Sequence, residues 1–225
     1  MRLRVNLTVM QPYFFPYLGY FRLLEVADTF VLLDNVQYQR RGWIHRNKFL
    51  KLSGIDDWLT LPIIKGNRDS TMIKDVRFKE GINGKDFISN FQISRDIDKI
   101  QNLWPNFFEF SGNLIDYLEK SLITTGSLLG INPTIVRASS ITQKNESSAE
   151  DYILALCKTL EADIYVNAPG GRPLYKGENF EREKVKLYFL SEHRGPKTNI
   201  LERILREDIK YLTAEICSNL ELEEP

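Results

Sequence analysis

"RVNLTVMQPYFFPYLGYFRLLEVADTFVLLD", residues 4–34, holds two apolar runs separated by a segment whose hydrophobic period changes. Residues 4–10 read as a strand and 17–27 as a helix. Residues 29–34 read as a second strand, whose unbroken apolar character suits burial on both faces. Strand, helix and strand in immediate succession predict a βαβ start, and with it a parallel sheet. The junction is unusual in composition. Residues 10–24 carry six rings (Tyr13, Phe14, Phe15, Tyr17, Tyr20, Phe21), two prolines and one glycine. Pro12 and Pro16 fix φ and remove two N–H donors, while Gly19 permits close approach of the backbone at a helix start. Two readings stand side by side: the rings are core, with Pro16 opening the helix, or they are the wall of a ligand site.

Outward from this unit the alternation continues. "RNKFLKLSGIDDWLTLPI", 46–63, alternates on both sides of a Ser-Gly-Ile-Asp-Asp turn and predicts an antiparallel hairpin inserted after the second strand, with "TMIKDVRF", 71–78, as a third strand. Residues 84–130 read as helical, with Leu114, Leu118, Leu122, Thr125 and Leu129 on one stripe and Gly130 as C-cap. A strand is predicted at 134–139. The helix after it is announced by Ser147 and Glu150 in a capping-box pattern, with Ile153, Leu156, Cys157 and Leu160 on one face. Strands at 163–169 and 184–190 follow, then an amphipathic helical tail at 198–222. The expected architecture is α/β: a doubly wound, largely parallel, Rossmann-like sheet with an inserted hairpin and helical segment. It forms one domain over residues 1–225, with the hairpin excursion at about 46–78.

Composition sets limits. The chain has 225 residues, 43% of them hydrophobic, and 30 basic residues balance 30 acidic ones, so no bulk field draws it to nucleic acid or an anionic membrane. Charge is uneven locally: residues 35–51 hold Arg40, Arg41, Arg46, Lys48, Lys51 and His45 without an acid, so this third could meet an anion. Cys157 and Cys217 make neither a disulfide framework nor a zinc site. With no apolar stretch long enough for a membrane span and no cleavable leader pattern, the expectation is a soluble protein of a reducing cytoplasm.

Three clusters carry the candidate chemistry, because ligands of such sheets bind where a strand's carboxyl end leads into a helix. The first is the aromatic junction, with Gln11, Pro12, Tyr13, Tyr17, Gly19 and Tyr20. The second is "LLDNVQYQRRGWIHRNKF", 32–49, where Asp34 closes an apolar strand and Gln37, Trp43, Arg46 and Asn47 follow. An arginine fork holds phosphate or carboxylate, amides fix a planar or polyhydroxyl partner, and an indole offers a face to a sugar or base. The alternative is an Asp34–arginine pair pinning the hairpin to the sheet, with Trp43 in the core and Arg40 and Arg41 solvated. The third is "NAPGGRPLY", 167–175, where Gly170 and Gly171 make either an anion nest beside Arg172 or plain loop punctuation, and no Gly-Lys-Ser/Thr follows. His193 reads as a surface residue and no histidine metal site is expected. Neither a Gly-x-Ser-x-Gly elbow nor a Cys–His pairing supports nucleophilic catalysis. Asp34 allows a magnesium ion to accompany a nucleotide.

"QPYFFPYLGYF", "ADTFVLLDNVQYQRRGWIHRNKF", "YVNAPGGRPLY" and "FEREKVKLYFL" together resemble the WbqC-like family, from about residue 8 to 190. The tail departs: the family tends towards Ser-Ile-Ile-Asp-x-Leu where this chain reads "TNILERIL", so no role carries over to that helix. The resemblance implies a part in bacterial surface-polysaccharide (lipopolysaccharide, O-antigen) synthesis. A more distant likeness is to nucleotidylyltransferases and pantothenate-synthetase-like ligases, whose first strand leads into His-x-Gly-His over the phosphates of ATP. Tyr17 and Tyr20 stand where those histidines would be, and a neutral phenol brings no positive charge to phosphate. The expected function is that of a transferase or ligase acting on a nucleotide-linked sugar or an activated acyl or aminoacyl group. Asp34, Gln37 and Arg46 would do the chemistry, while Gln11, Pro12, Tyr13, Tyr17, Gly19, Tyr20, Trp43, Asn47, Gly170 and Gly171 would bind the donor. The alternative is a catalytically inactive binding or assembly module.

Overall fold

A computed structural model of the chain describes residues 4–64, 66, 70–141, 148–218 and 220–225. Strand β1 (Asn6–Met10) is followed by helix α1 (Leu18–Glu25) and strand β2 (Thr29–Leu32), the βαβ unit that the opening stretch predicts. The antiparallel hairpin β3 (Arg46–Leu50) and β4 (Asp56–Thr60) comes next, in the register Arg46↔Thr60 to Leu50↔Asp56, with Gly54 at φ +82° closing its turn.

A helical segment follows: α2 (Gly84–Ile88), α3 (Ile97–Leu103) and α4 (Leu114–Leu128). The predicted stripe of α4 is buried throughout. The helix ends as a Schellman motif, with Gly130 at φ +76°, its N–H on the Ser127 carbonyl (3.1 Å) and the Ile131 N–H on the Gly126 carbonyl (2.8 Å). Then come β5 (Thr134–Arg137), α5 (Ala138–Ile141), α6 (Ala149–Thr159), β6 (Ile164–Asn167), α7 (Gly177–Arg182), β7 (Lys186–Leu190), α8 (Ile200–Arg206), α9 (Ile209–Cys217) and β8 (Leu222–Glu223).

Six strands form one sheet in the order β5-β2-β1-β6-β7-β8, all parallel except β8, which runs antiparallel on β7. Alternate residues of the strands face two cores. Phe30, Leu32 and Val166 join α1, α4, α8, α9 and the hairpin on one side, and Leu7, Val31, Tyr165, Leu187 and Phe189 join α6 and α7 on the other. The architecture is therefore the doubly wound, Rossmann-like α/β fold.

Three local readings are corrected. Residues 71–78 are not a third hairpin strand. Ile73–Asp75 form a 3-10 turn, and Ile73 and Val76 both enter the core, a three-residue step that no single strand face permits. The helical tail is broken at Glu207, where Asp208 caps α9, and it ends in β8 rather than in helix. Ser147 lies outside the described residues; α6 is capped by Ser148, whose hydroxyl accepts the Asp151 N–H at 3.0 Å.

Candidate functional site

The strand order reverses direction between β1 and β6. The chain leaves β1 into α1 on one face and β6 towards α7 on the other, so a crevice opens at their carboxyl ends. Two concavities occupy it, of about 560 and 340 Å³, and Tyr17, Gly19 and Ala168 line both. They are two lobes of one cleft.

The smaller lobe is aromatic. Met10, Gln11, Pro12, Tyr13, Tyr20, Gln39 and Trp43 contribute to its walls. The crowded rings of the junction divide between two tasks. Phe14, Phe15 and Phe21 are buried in the core, with Phe15 packed against Trp104 (5.5 Å) and Phe107 (5.7 Å). Tyr13, Tyr17 and Tyr20 face the cleft. Tyr13 meets Tyr20 edge-on at 6.1 Å and Trp43 at 5.7 Å, and the Tyr20 hydroxyl donates to the Gln11 carbonyl at 2.9 Å. Trp43 is 43% exposed, so it leaves a free aromatic surface at the mouth rather than entering the core. Burial raises the pKa of all three phenols, which therefore act as neutral hydrogen-bonding groups.

The larger lobe is charged. The amino end of α1 opens on it; Tyr17 gives no side-chain cap and the first turn carries no acid, so no side chain of the helix start itself offsets the positive end of the dipole. Arg22, Arg172 and Lys197 line it together with Glu192 and Glu223. Arg22 is only 2% exposed; it donates to the Ser191 carbonyl (2.7 Å) and hydroxyl (2.9 Å), and burial lowers its pKa. Arg172 lies over the Phe189 ring at 4.7 Å, donates to the Glu224 carbonyl at 2.8 Å and pairs with Glu223. The His193 side chain, 7% exposed, also lines this lobe, with its ring 5.7 Å from that of Tyr17. Burial lowers its pKa, against an opposing pull from the Glu215 carboxylate.

The predicted residues divide between cleft and scaffold. Gln11, Pro12, Tyr13, Tyr17, Gly19, Tyr20 and Trp43 line the aromatic lobe, and Gly170 lines the charged one. Asp34, Gln37, Arg46, Asn47 and Gly171 line neither. Asp34, 1% exposed, accepts the Ser139 N–H at 2.8 Å and the Ser139 hydroxyl at 2.6 Å, fastening β2 to the start of α5. Gln37 forms a bridge with Met72 away from the cleft. Arg46 turns its fork onto the carbonyls of Gly42 (3.1 Å) and Arg41 (2.6 Å) and stacks over Trp58 at 4.1 Å. Asn47 holds the junction from behind, through Phe14 and Phe15.

Gly170 and Gly171 form no anion nest. Residues 169–174 are a 3-10 turn in which the Gly171 N–H already bonds the Ala168 carbonyl at 2.9 Å, and neither glycine has positive φ. The hairpin is anchored by Asn199, which donates to the Lys48 carbonyl (2.8 Å), and by Glu202, which accepts the Leu50 N–H (2.9 Å), rather than by an Asp34–arginine pair.

Sequence reasoning missed Arg22, Lys197 and His193. The signal for His193 was available: a strand ending at 190 is parallel to its neighbours, so the polar segment after it emerges at the same sheet edge as the other clusters. Among the described residues no group of three or more histidine, cysteine, aspartate or glutamate side chains could hold a metal ion, and no helix is long and apolar enough to cross a membrane.

Comparison with known proteins gives one family and one distant relative. The model of the WbqC-like protein family matches residues 11–197, a span that includes every lining residue named above except Met10 and Glu223. An uncharacterised protein of Mycobacterium tuberculosis (strain ATCC 25618 / H37Rv), Rv1507c, is 24% identical over 192 residues, covering 81% of this chain and 80% of its own. No solved structure matches.

Proposed function

The chain belongs to the WbqC-like protein family, and on that premise we propose that it is a transferase or ligase whose donor is a nucleotide-linked sugar or an activated acyl or aminoacyl group, serving bacterial surface-polysaccharide synthesis. The observation that carries the reading is the pairing of a charged lobe with an aromatic one across Tyr17, Gly19 and Ala168, at the reversal of strand order. A phosphate seated at the amino end of α1 meets Arg22, Lys197 and the helix dipole. The flat or ring-bearing part of the donor then lies against Tyr13, Tyr20 and Trp43. Catalysis by such a site rests on positioning and on electrostatic stabilisation of a departing phosphate. Two unpaired cysteines, one buried and one exposed, suit a reducing cytoplasm.

A second reading is a binding or assembly module. It is favoured by Tyr17 and Tyr20, whose burial keeps them neutral where a phosphate-transfer site would use cations. Calorimetric titration with ADP, UDP and UDP-glucose, followed by product analysis with hydroxyl and amine acceptors, separates the two. Binding with turnover supports the enzyme, binding without turnover supports the module, and absence of binding removes both.

A further inference from the structure

We propose that His193 is the acid–base residue of the cleft, with Glu215 as the group that positions it; this rests on the cleft reading above. The imidazole arrives from the loop after β7 and meets α1 at its amino end. A Cβ built on Gly19 would lie 3.0 Å from the Cβ of His193, so the histidine approaches the helix start as closely as a glycine allows. Its Nε2 is buried without a hydrogen-bond partner and lies 3.6 Å from Glu215 Oε1. That separation is too long for a hydrogen bond and short enough for charge to be felt.

Glu215 is itself fixed. Arg203 donates to both of its oxygens (3.0 and 2.8 Å), and this bond holds the Glu215 carboxyl below its ordinary range, so it stays ionised. Arg203 is fixed in turn by Glu207. A chain of placed groups therefore runs from α8 through α9 to an imidazole on the cleft wall. The groups facing His193 are Glu215 from α9, Arg22 from α1, Arg203 from α8 and the Pro196 backbone of its own loop, with Tyr17 against the ring. Burial and the two arginines favour the neutral ring, and Glu215 together with the Pro196 backbone favours the charged one. A site so balanced accepts a proton when negative charge enters the lobe.

In the transfer, the acceptor oxygen or nitrogen bonds to the donor carbon while the carbon–oxygen bond to phosphate breaks and its electron pair leaves with the phosphate. The acceptor's proton passes to the imidazole of His193. It then passes from the imidazolium to the departing phosphate or to water. Nothing is oxidised or reduced, and no further reactant is required. The tyrosines of the α1 turn bring no charge; His193 supplies it from a segment remote in sequence.

The test is an NMR titration of the two imidazoles, His193 and the buried His45, without and with inorganic pyrophosphate, binding being read from the amide shifts of Leu18 and Gly19. The expected result is a His193 pKa below the ordinary value of about 6.5 in the free protein, rising by half a unit or more when pyrophosphate is bound, with His45 unmoved. A half-unit rise is about threefold tighter binding of pyrophosphate to the protonated form. Glu215→Gln should lower the His193 pKa in both states. Pyrophosphate binding with no movement of His193 overturns the dyad and spares the cleft; no binding overturns both. The wild-type titration decides the matter even if Glu215→Gln does not fold.

Discussion

Asn47 holds Phe15 in a left-handed backbone conformation: its side-chain amide donates to the Phe15 carbonyl at 2.8 Å, and Phe15 has φ +44°. The same amide reaches the Phe14 carbonyl at 3.0 Å. A bulky residue at positive φ is strained and persists only where its surroundings fix it. Here the ring of Phe15 is buried and its carbonyl is bonded from behind. Asn47→Leu leaves two buried carbonyls without this donor, at a cost of about 1–3 kcal/mol each at most. The expected outcome is a clear fall in chemical-denaturation midpoint, together with a changed near-ultraviolet signal from the tyrosines of the junction. An unchanged midpoint would mean that burial of Phe15 alone holds the turn.

Gly19→Ala tests the wall shared by the two lobes. The new Cβ would stand 2.2 Å from Tyr17 Cε2 and 2.8 Å from Cζ, so the Tyr17 ring must swing aside, and His193 must yield slightly at 3.0 Å. Alanine gains about 1 kcal/mol of helix propensity over glycine, which offsets part of the crowding. Melting temperature should change by only a few degrees, whereas affinity for whichever nucleotide binds should fall about tenfold or more. Calorimetry on both proteins compares the two. Unimpaired binding would remove Tyr17 from the site.

Alkaline pH should unfold the protein early. Burial raises the pKa of Tyr13, Tyr20, Tyr38 and Tyr117 well above the usual phenol value. The unfolded chain therefore loses these protons first, near pH 10, while the native state retains them. A group whose folded pKa is raised gives stability that is full below the unfolded value and is lost as pH climbs above it. Stability should be flat up to about pH 9.5 and decline steeply beyond. In a Tyr211→Phe background, which removes the most exposed phenol, the main rise of phenolate absorbance near 295 nm should coincide with loss of helical circular dichroism. Ionisation of most of the phenols well before unfolding would show that these rings are accessible.

Much of the fold was legible because its signals are local. The βαβ start, the hairpin and the stripe of α4 all follow from hydrophobic period and turn residues, and each maps onto an observed element. Residues 71–78 misled because Val76 and Phe78 stand two apart, as on a strand face, and the three-residue step from Ile73 to Val76 that marks the 3-10 turn is a single departure from that pattern. The site was legible in part for a different reason. Position at a sheet edge is set by topology, which brought Gln11, Tyr17, Gly19 and Gly170 to the cleft. Whether a polar side chain then faces ligand or satisfies nearby backbone depends on a few ångströms. Asp34, Arg46 and Asn47 took the second course, each bonded to neighbouring backbone groups. His193 lines the charged lobe, as its place after a parallel strand signals, but a lone histidine in a polar segment gives no sign that a later helix, α9, sets a carboxylate beside it.

The order of the sheet also carries a consequence for when the cleft comes into being. Its two sides belong to β1 and β6, which are tied at their starts by the Val5 N–H on the Asp163 carboxylate, groups 158 positions apart in the chain. Bringing such distant partners together carries a loop-closure cost that local contacts do not, and contacts of high sequence separation slow folding. The first βα unit can form early from neighbours in sequence, but it then presents Tyr13, Tyr17 and Tyr20 to solvent with no opposite wall. During synthesis the aromatic turn emerges long before Ala168 and His193, so in that interval the rings that later line the site have no opposite wall to cover them.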